Sequence, residues 1–69
     1  MNIIVNGQNQ NISRANLSMV LEELGYKQMK LATALNGNFI SVEQRDNTEL
    51  KDGDKLEILS PQQLSLIHI

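Results

Sequence analysis

The sequence has no cysteine and no tryptophan, and it contains only one phenylalanine, one tyrosine and one proline among 69 residues. Without cysteine there can be no disulfide, no thiolate metal site and no cysteine nucleophile. Because aromatic residues are scarce, the core must consist of the Leu, Ile and Val in a chain that is 41% hydrophobic. A chain of this length fits one domain. Because a chain of about 60 residues buries only about 60% of its unfolded surface on folding, we expect the core of that domain to be compact.

The charge balance and the amino-terminal segment limit the possible partners and location. Six basic residues face eight acidic ones, for a net charge of −2, without the basic stripe that binding to a phosphate backbone usually requires. No signal peptide follows Met1, and no apolar run approaches the roughly 20 residues of a membrane span. We therefore expect a cytoplasmic protein that binds neither nucleic acid nor membrane.

The first 25 residues predict a hairpin followed by a helix. Asn6-Gly7 supplies the two positive-φ residues of a type I′ turn between strands near 2–5 and 8–12. Over residues 17–24 the spacing of the apolar residues changes to that of a helix, which we expect to be capped by Asn16 and ended by Gly25. Its apolar stripe has the i, i+3, i+4, i+7 spacing and consists of Leu17, Val20, Leu21 and Leu24.

The second half of the chain predicts three further strands. Alternating residues place strands at 31–35 and 39–42 around a turn at Asn36-Gly37, and a last strand at 55–59 after a turn at Asp52-Gly53. The residues between the second and third of these strands read as a polar connection. The resulting order β-β-α-β-β-β predicts an α+β fold, a mixed sheet with one helix packed across one face.

No side-chain chemistry is apparent. Glu22-Glu23 and the pair Asp52 and Asp54 are the closest carboxylate pairs, and we interpret them as solvated charges, since no His or third carboxylate lies nearby in sequence. His68 stands alone near the end of the chain and has no orienting partner. We predict no catalytic, cofactor-binding or metal site, no cofactor, and a protein that is not itself an enzyme.

Four segments, NIIVNG, NLSMVLEELG, ATALNGNFI and LKDGDKLEILSP, are similar to the ThiS sulfur carrier family of the ubiquitin-like β-grasp superfamily. The most specific patterns are A-x-A-L-N-G-x-x-I at 32–40 and L-x-D-G-D-x-x-E-I at 50–58. The resemblance implies that residues 1–63 form a β-grasp sulfur-carrier domain with the start of a tail. The strand order derived above agrees with that fold.

The resemblance also implies a function in thiamin biosynthesis. In this family the last strand runs into a tail ending in Gly-Gly, whose terminal carboxylate is adenylated by a ThiF-like enzyme and converted to a thiocarboxylate. A ThiG-like synthase then uses the sulfur to build the thiazole ring. A protein without cysteine can therefore carry sulfur, and we expect it to be a monomer when free.

The partner surface implied by the resemblance is the sheet face opposite the helix, together with the tail. Phe39 is a candidate contact on that face, although it could equally belong to the core. The candidate contacts in the tail are Ser60, Pro61, Gln62 and Gln63.

The chain departs from the family pattern after Gln63, where Gly-Gly is expected and Leu-Ser-Leu-Ile-His-Ile follows. This ending could be a divergent natural tail, or an added strand or docking segment, since it alternates and is β-prone. It is also the in-frame translation of CTGTCTCTTATACACATC, a transposase mosaic-end adaptor used in sequencing libraries. We favour the last interpretation, by which residues 64–69 are a non-native tail and the chain as it stands cannot carry sulfur.

Two other functions remain open from the sequence. A MoaD-like carrier for molybdopterin synthesis shares the fold and the tail chemistry, although the segments LEELG and ALNG favour ThiS. A β-grasp interaction module without covalent chemistry is the alternative from a different class, and the missing Gly-Gly would be its signature.

Overall fold

The computed structural model of the chain describes residues 1–26 and 30–60. The strands are β1 (Asn2–Val5), β2 (Gln8–Asn11), β3 (Ala32–Leu35), β4 (Asn38–Ile40) and β5 (Lys55–Leu59). The helix α1 (Leu17–Glu23) follows β2, and a 3₁₀ helix (Val42–Asn47) follows β4. All five predicted strands and the predicted helix are confirmed; the first and last strands have the predicted bounds, and the ends of the other elements differ by at most two residues.

The five strands form one mixed sheet in the order β2-β1-β5-β3-β4. The outer pairs are antiparallel hairpins, β5 runs antiparallel to β3, and β5 runs parallel to β1. The last strand in the chain is therefore central in the sheet. This confirms the predicted α+β class, and it places the end of β5 between the two hairpins.

Both hairpin turns have the backbone conformation that their Asn-Gly pairs predict. Asn6 and Gly7 have φ angles of 50° and 84°, and Asn36 and Gly37 have φ angles of 51° and 85°. A type I′ turn requires positive φ at both central residues, which asparagine tolerates better than other non-glycine residues. The turns therefore fix the register of each hairpin.

Helix α1 begins at the predicted residue, Leu17, and ends at Glu23, one residue before the predicted end. The Asn16 Oδ1 accepts a hydrogen bond from the Met19 N–H at 3.4 Å, and Gly25, with φ 92°, follows the C-cap residue Leu24. Met19 itself is 44% exposed, in agreement with its place off the apolar stripe. Among the described residues, neither helix has the length and apolar character needed to cross a bilayer.

The core lies between α1 and one face of the sheet, and its buried hydrophobic residues are aliphatic. Within the described part of the chain, its buried members are Ile3, Val5, Ile12, Leu17, Val20, Leu21, Leu50, Leu56 and Ile58. Burying each such side chain contributes about 1.5–3 kcal/mol relative to exposure. Four come from β1 and β5, so the central pair of strands supplies most of the sheet's share of the core.

The segment predicted as a strand end and a polar connection is partly helical. The strand expected to reach Val42 ends at Ile40, and Val42 is 65% exposed at the start of the 3₁₀ helix. The Ser41 N–H donates to the Gln44 Oε1 at 3.2 Å, as in a capping box. A polar segment with such a cap can form a short helix, but it has no periodic apolar residues from which the helix could be predicted.

Candidate functional site

The sheet has one face covered by α1 and one open face, and the strand register assigns residues to each. Ala34 lies opposite both Phe39 on β4 and Glu57 on β5, and directly opposed residues point to the same side of a sheet. The neighbouring Thr33 is 1% exposed and shares the covered face with Ile58. Phe39, Ala34 and Glu57 therefore project from the open face.

Phe39 is the most exposed large hydrophobic side chain among the described residues, at 69%. The alternative that it belongs to the core is therefore wrong. The partly buried Ile4 and Leu59 share its face by strand alternation, and a depression of about 320 Å³ next to Ile4 is also lined by Lys55 and Glu57. The role of Phe39 as a partner contact stays a prediction.

The root of the tail lies at the end of the central strand. Leu59 is the last residue of β5 and pairs with Ala32, the first residue of β3. Ser60 follows and is partly buried. Residues 61–69 lie outside the described residues, and they include the predicted contacts Pro61, Gln62 and Gln63 as well as the single histidine.

Asn6 joins the first hairpin to the carboxyl-terminal end of β5. Its Oδ1 accepts a hydrogen bond from the Ile58 N–H at 2.8 Å, and its Nδ2 donates to the Ile58 carbonyl at 3.1 Å. The Asn6 backbone N–H donates to the Leu56 carbonyl at 3.0 Å. The carboxamide therefore continues the parallel β1–β5 ladder after β1 has turned away.

Asn36 performs a similar task at the opposite end of β5. Its Oδ1 accepts from the Lys55 N–H at 3.0 Å, and its Nδ2 donates to the Asp54 Oδ1 at 3.1 Å. The sequence predicts both asparagines as turn residues only. Their hydrogen bonds to β5 join residues that are 52 positions apart in the chain for Asn6 and 19 positions apart for Asn36. The sequence of a turn gives no indication of such distant contacts.

Arg45 and Thr33 form a polar network that sequence reasoning missed. From the 3₁₀ helix, the Arg45 Nη2 donates to the Leu31 carbonyl at 2.6 Å and its Nε donates to the Thr33 Oγ1 at 3.3 Å. The Thr33 hydroxyl in turn donates to the Ile40 carbonyl at 3.0 Å. This network holds the start of β3 next to the residues where β5 ends, and the Thr at an inward position of β3 was its only sequence signal.

The carboxylates set aside as solvated charges accept backbone hydrogen bonds. The Asp52 Oδ1 accepts from the Asn2 N–H at 2.7 Å, and both oxygens of Glu23 accept from the Ser13 N–H at 3.0 and 3.1 Å. No group of three or more His, Cys, Asp or Glu side chains that could hold a metal occurs within 1–26 and 30–60. These carboxylates thus tie loops to the sheet and to α1.

Comparison with known proteins places this geometry in context. The model of the ThiS family matches residues 3–63. A crystal structure of the thiamine biosynthesis protein ThiS from Geobacter metallireducens is 34% identical, with a TM-score of 0.77, and the match covers 87% of this chain and 93% of that one. An NMR structure of a thiamine biosynthesis protein from the same organism is 35% identical, with a TM-score of 0.71 over 86% of this chain and 81% of that one. None of the curated proteins compared matches the chain significantly.

Proposed function

The chain belongs to the ThiS family of small sulfur carriers in thiamine biosynthesis, and from this premise we propose that it carries sulfur as a thiocarboxylate at the end of the tail that follows β5. The family match over 3–63 carries the proposal, because it extends through the β-grasp domain into that tail. Against the MoaD-like alternative, the matched family is the ThiS family and both solved structures are of thiamine biosynthesis proteins.

The proposed chemistry takes place at a carboxylate and needs partner enzymes. A carboxylate is a poor electrophile, so a ThiF-like enzyme joins a terminal carboxylate oxygen to the α-phosphorus of ATP and releases pyrophosphate. A sulfur donor then displaces AMP from the acyl carbon, leaving a thiocarboxylate. No catalytic side chain of the carrier is required, in keeping with the structural roles of Asp52 and Glu23, and we propose that the chain is not a catalyst.

The open face of the sheet is the proposed docking surface for the ThiF-like and ThiG-like partners. Phe39 is its exposed aromatic residue on β4, and Lys55 and Glu57 provide charges on β5, on the same face and across β3 from it. Buried aromatic anchors surrounded by polar residues are typical of protein interfaces. The same face borders the end of β5, so a partner bound there would lie close to the tail.

We further propose that residues 64–69 are translated adaptor and that the tail of the carrier ends in Gly-Gly after Gln63. The family match ends at residue 63, which supports this boundary. Reading the genomic DNA downstream of codon 63 tests the boundary directly: Gly-Gly and a stop codon support the carrier. A continuous divergent sequence would support the non-covalent interaction module instead.

The experiment for the function compares two tails on the same domain. The chain ending at Ile69 and a version with Gly-Gly after Gln63 are each incubated with ATP, a ThiF-like enzyme and a sulfur donor, and the intact proteins are weighed. Replacement of one oxygen by sulfur is expected only in the Gly-Gly form, because the β-branched Ile67 and Ile69 cannot follow a channel shaped for bare backbone. Equal conversion of both would refute the proposed tail requirement, and conversion of neither would refute the carrier function.

A further inference from the structure

The two Asn-Gly turns contain a sequence that favours spontaneous deamidation. In this reaction the backbone nitrogen of the glycine bonds to the side-chain carbonyl carbon of the asparagine, and the amide nitrogen leaves as ammonia with the proton of the glycine N–H. Water then opens the resulting succinimide to aspartate or isoaspartate. Glycine has no Cβ to crowd the attacking nitrogen. We propose that Asn36 is a deamidation site and that Asn6, in an identical motif, is protected by its contacts with β5.

The two turns are closely matched in local conformation and exposure. Asn6 and Asn36 have φ angles of 50° and 51°, and both side chains are exposed. In the part of the chain that the structure describes, no heavy atom outside the adjacent residues lies within 4 Å of the position that a Cβ on Gly7 or Gly37 would take. The two sites differ in the partners of their carboxamides.

The carboxamide of Asn6 is bonded to the backbone of a core residue. Its oxygen accepts from the Ile58 N–H at 2.8 Å, its nitrogen donates to the Ile58 carbonyl at 3.1 Å, and both bonds are partly buried. The side chain must leave both groups before its carbonyl carbon can turn towards the nitrogen of Gly7. Because two backbone groups would then lose their partner at a partly buried position, this rotation is unfavourable.

The carboxamide of Asn36 is bonded to exposed groups. Its oxygen accepts from the Lys55 N–H at 3.0 Å, its nitrogen donates to the Asp54 Oδ1 at 3.1 Å, and both bonds are exposed. Water can replace the carboxamide at both partners as the side chain turns towards Gly37, so the rotation costs little. Asn36 should therefore reach the reactive conformation more often than Asn6.

Deamidation at Asn36 would change the hairpin that carries Phe39. Aspartate at this position places a charged oxygen against the Asp54 carboxylate in place of a hydrogen bond, and like charges at this distance repel. Isoaspartate also inserts a methylene group into the backbone, so the turn loses the two-residue geometry that sets the register of β3 and β4. Weaker partner binding after deamidation rests on the proposed function, whereas the modification itself does not.

The direct test is to age the full chain in mildly alkaline buffer and to follow each site by mass spectrometry. Trypsin cleaves after lysine and arginine, so Asn6 and Asn36 fall in separate peptides, 1–14 and 31–45. Fragmentation of each peptide locates the gain in mass from replacing the amide NH2 by OH. We expect Asn36 to deamidate about tenfold faster than Asn6. Equal rates, or a faster rate at Asn6, would overturn the proposal.

Unfolding the chain supplies the control for neighbouring sequence. Ageing in guanidinium chloride at the same pH removes the contacts with β5 and leaves both Asn-Gly motifs and their neighbours unchanged. The two rates should then become similar, because the protection of Asn6 depends on Ile58. If the tenfold difference persists in the unfolded chain, the neighbouring residues cause it and the proposal is wrong.

The effect on partner binding is measured on the form with Gly-Gly after Gln63. Anion exchange isolates the deamidated protein by its added negative charge, and we expect it to bind a ThiF-like enzyme about tenfold more weakly than the unaged protein, since the hairpin no longer presents Phe39 correctly. Asn36→Gly keeps the positive φ of the turn and removes the reactive amide, so its affinity should not change on ageing.

Unchanged affinity of the deamidated protein, or an equal loss in aged Asn36→Gly, would refute the effect of this site on partner binding. If the unaged protein does not bind the enzyme at all, the proposed docking surface fails. The rates measured on the two peptides still decide whether Asn36 is the deamidation site.

Discussion

The two faces of the sheet use the same strands for different purposes. On the covered face, Ile3, Leu56 and Ile58 are buried in the core with residues of α1, whereas the open face carries the exposed Phe39 and the partly buried Leu59. Strand alternation sends neighbouring residues to opposite faces, so folding and partner binding can be changed separately. Substitutions on the covered face should therefore alter the stability of the fold, while those on the open face should alter association with partner proteins.

The largest effect is expected on the covered face. Leu21→Ala should lower the free energy of unfolding by about 2–5 kcal/mol, because Leu21 is 5% exposed and its truncation leaves a cavity under α1. Chemical denaturation measures the loss. Met19→Ala on the same helix is the control, with an expected change within about 0.5 kcal/mol. A similarly small change for Leu21→Ala would remove it from the core.

A smaller loss of folding stability is expected from removing the hydrogen bonds of Arg45. Arg45→Met keeps the aliphatic stem but removes the charged donors to the Leu31 carbonyl and the Thr33 hydroxyl, and it should cost about 1.5 kcal/mol in thermal or denaturant unfolding. Arg14→Met is the matched control, since the exposed Arg14 contacts the Met19 sulfur at 3.4 Å. Equal effects of the two substitutions would mean that the Arg45 network contributes nothing to stability.

The smallest effect on stability is expected from removing the end of the chain. Deleting residues 64–69 should leave the melting temperature unchanged, because the five strands of the described residues already form the β-grasp sheet by Leu59. Differential scanning calorimetry of the full chain and the shortened chain makes the comparison at one pH and salt concentration. A clear drop on deletion would favour the interpretation of these residues as an added strand over the adaptor interpretation.

Local sequence patterns predict the covered face well. The stripe from Leu17 to Leu24 predicts α1, and the two Asn-Gly pairs predict hairpin turns that the backbone angles confirm. These features depend on residues close together in the chain, where period and turn chemistry are decisive. The capped, polar 3₁₀ helix at Val42–Asn47 lacks such a period and was missed.

The candidate site was less predictable because it depends on topology. The sequence left Phe39 undecided between core and surface, since a strand of three residues is too short for alternation to assign its faces. The contact between Asn6 and Ile58 requires the parallel pairing of the first and last strands, which no local pattern encodes. The resemblance to a family supplied the tail chemistry, for which the residues themselves gave no sign.

The separation of the two faces is tested most directly by the affinity of the Gly-Gly form for a ThiF-like enzyme. Phe39→Ala and Met19→Ala each remove an exposed hydrophobic side chain, 69% and 44% exposed, from opposite sides of the domain. Isothermal titration calorimetry should show affinity about thirtyfold weaker for Phe39→Ala, as for loss of an interface hot spot, and unchanged for Met19→Ala. Unchanged affinity for Phe39→Ala, or an equal loss for Met19→Ala, would contradict the assignment of partner binding to the open face.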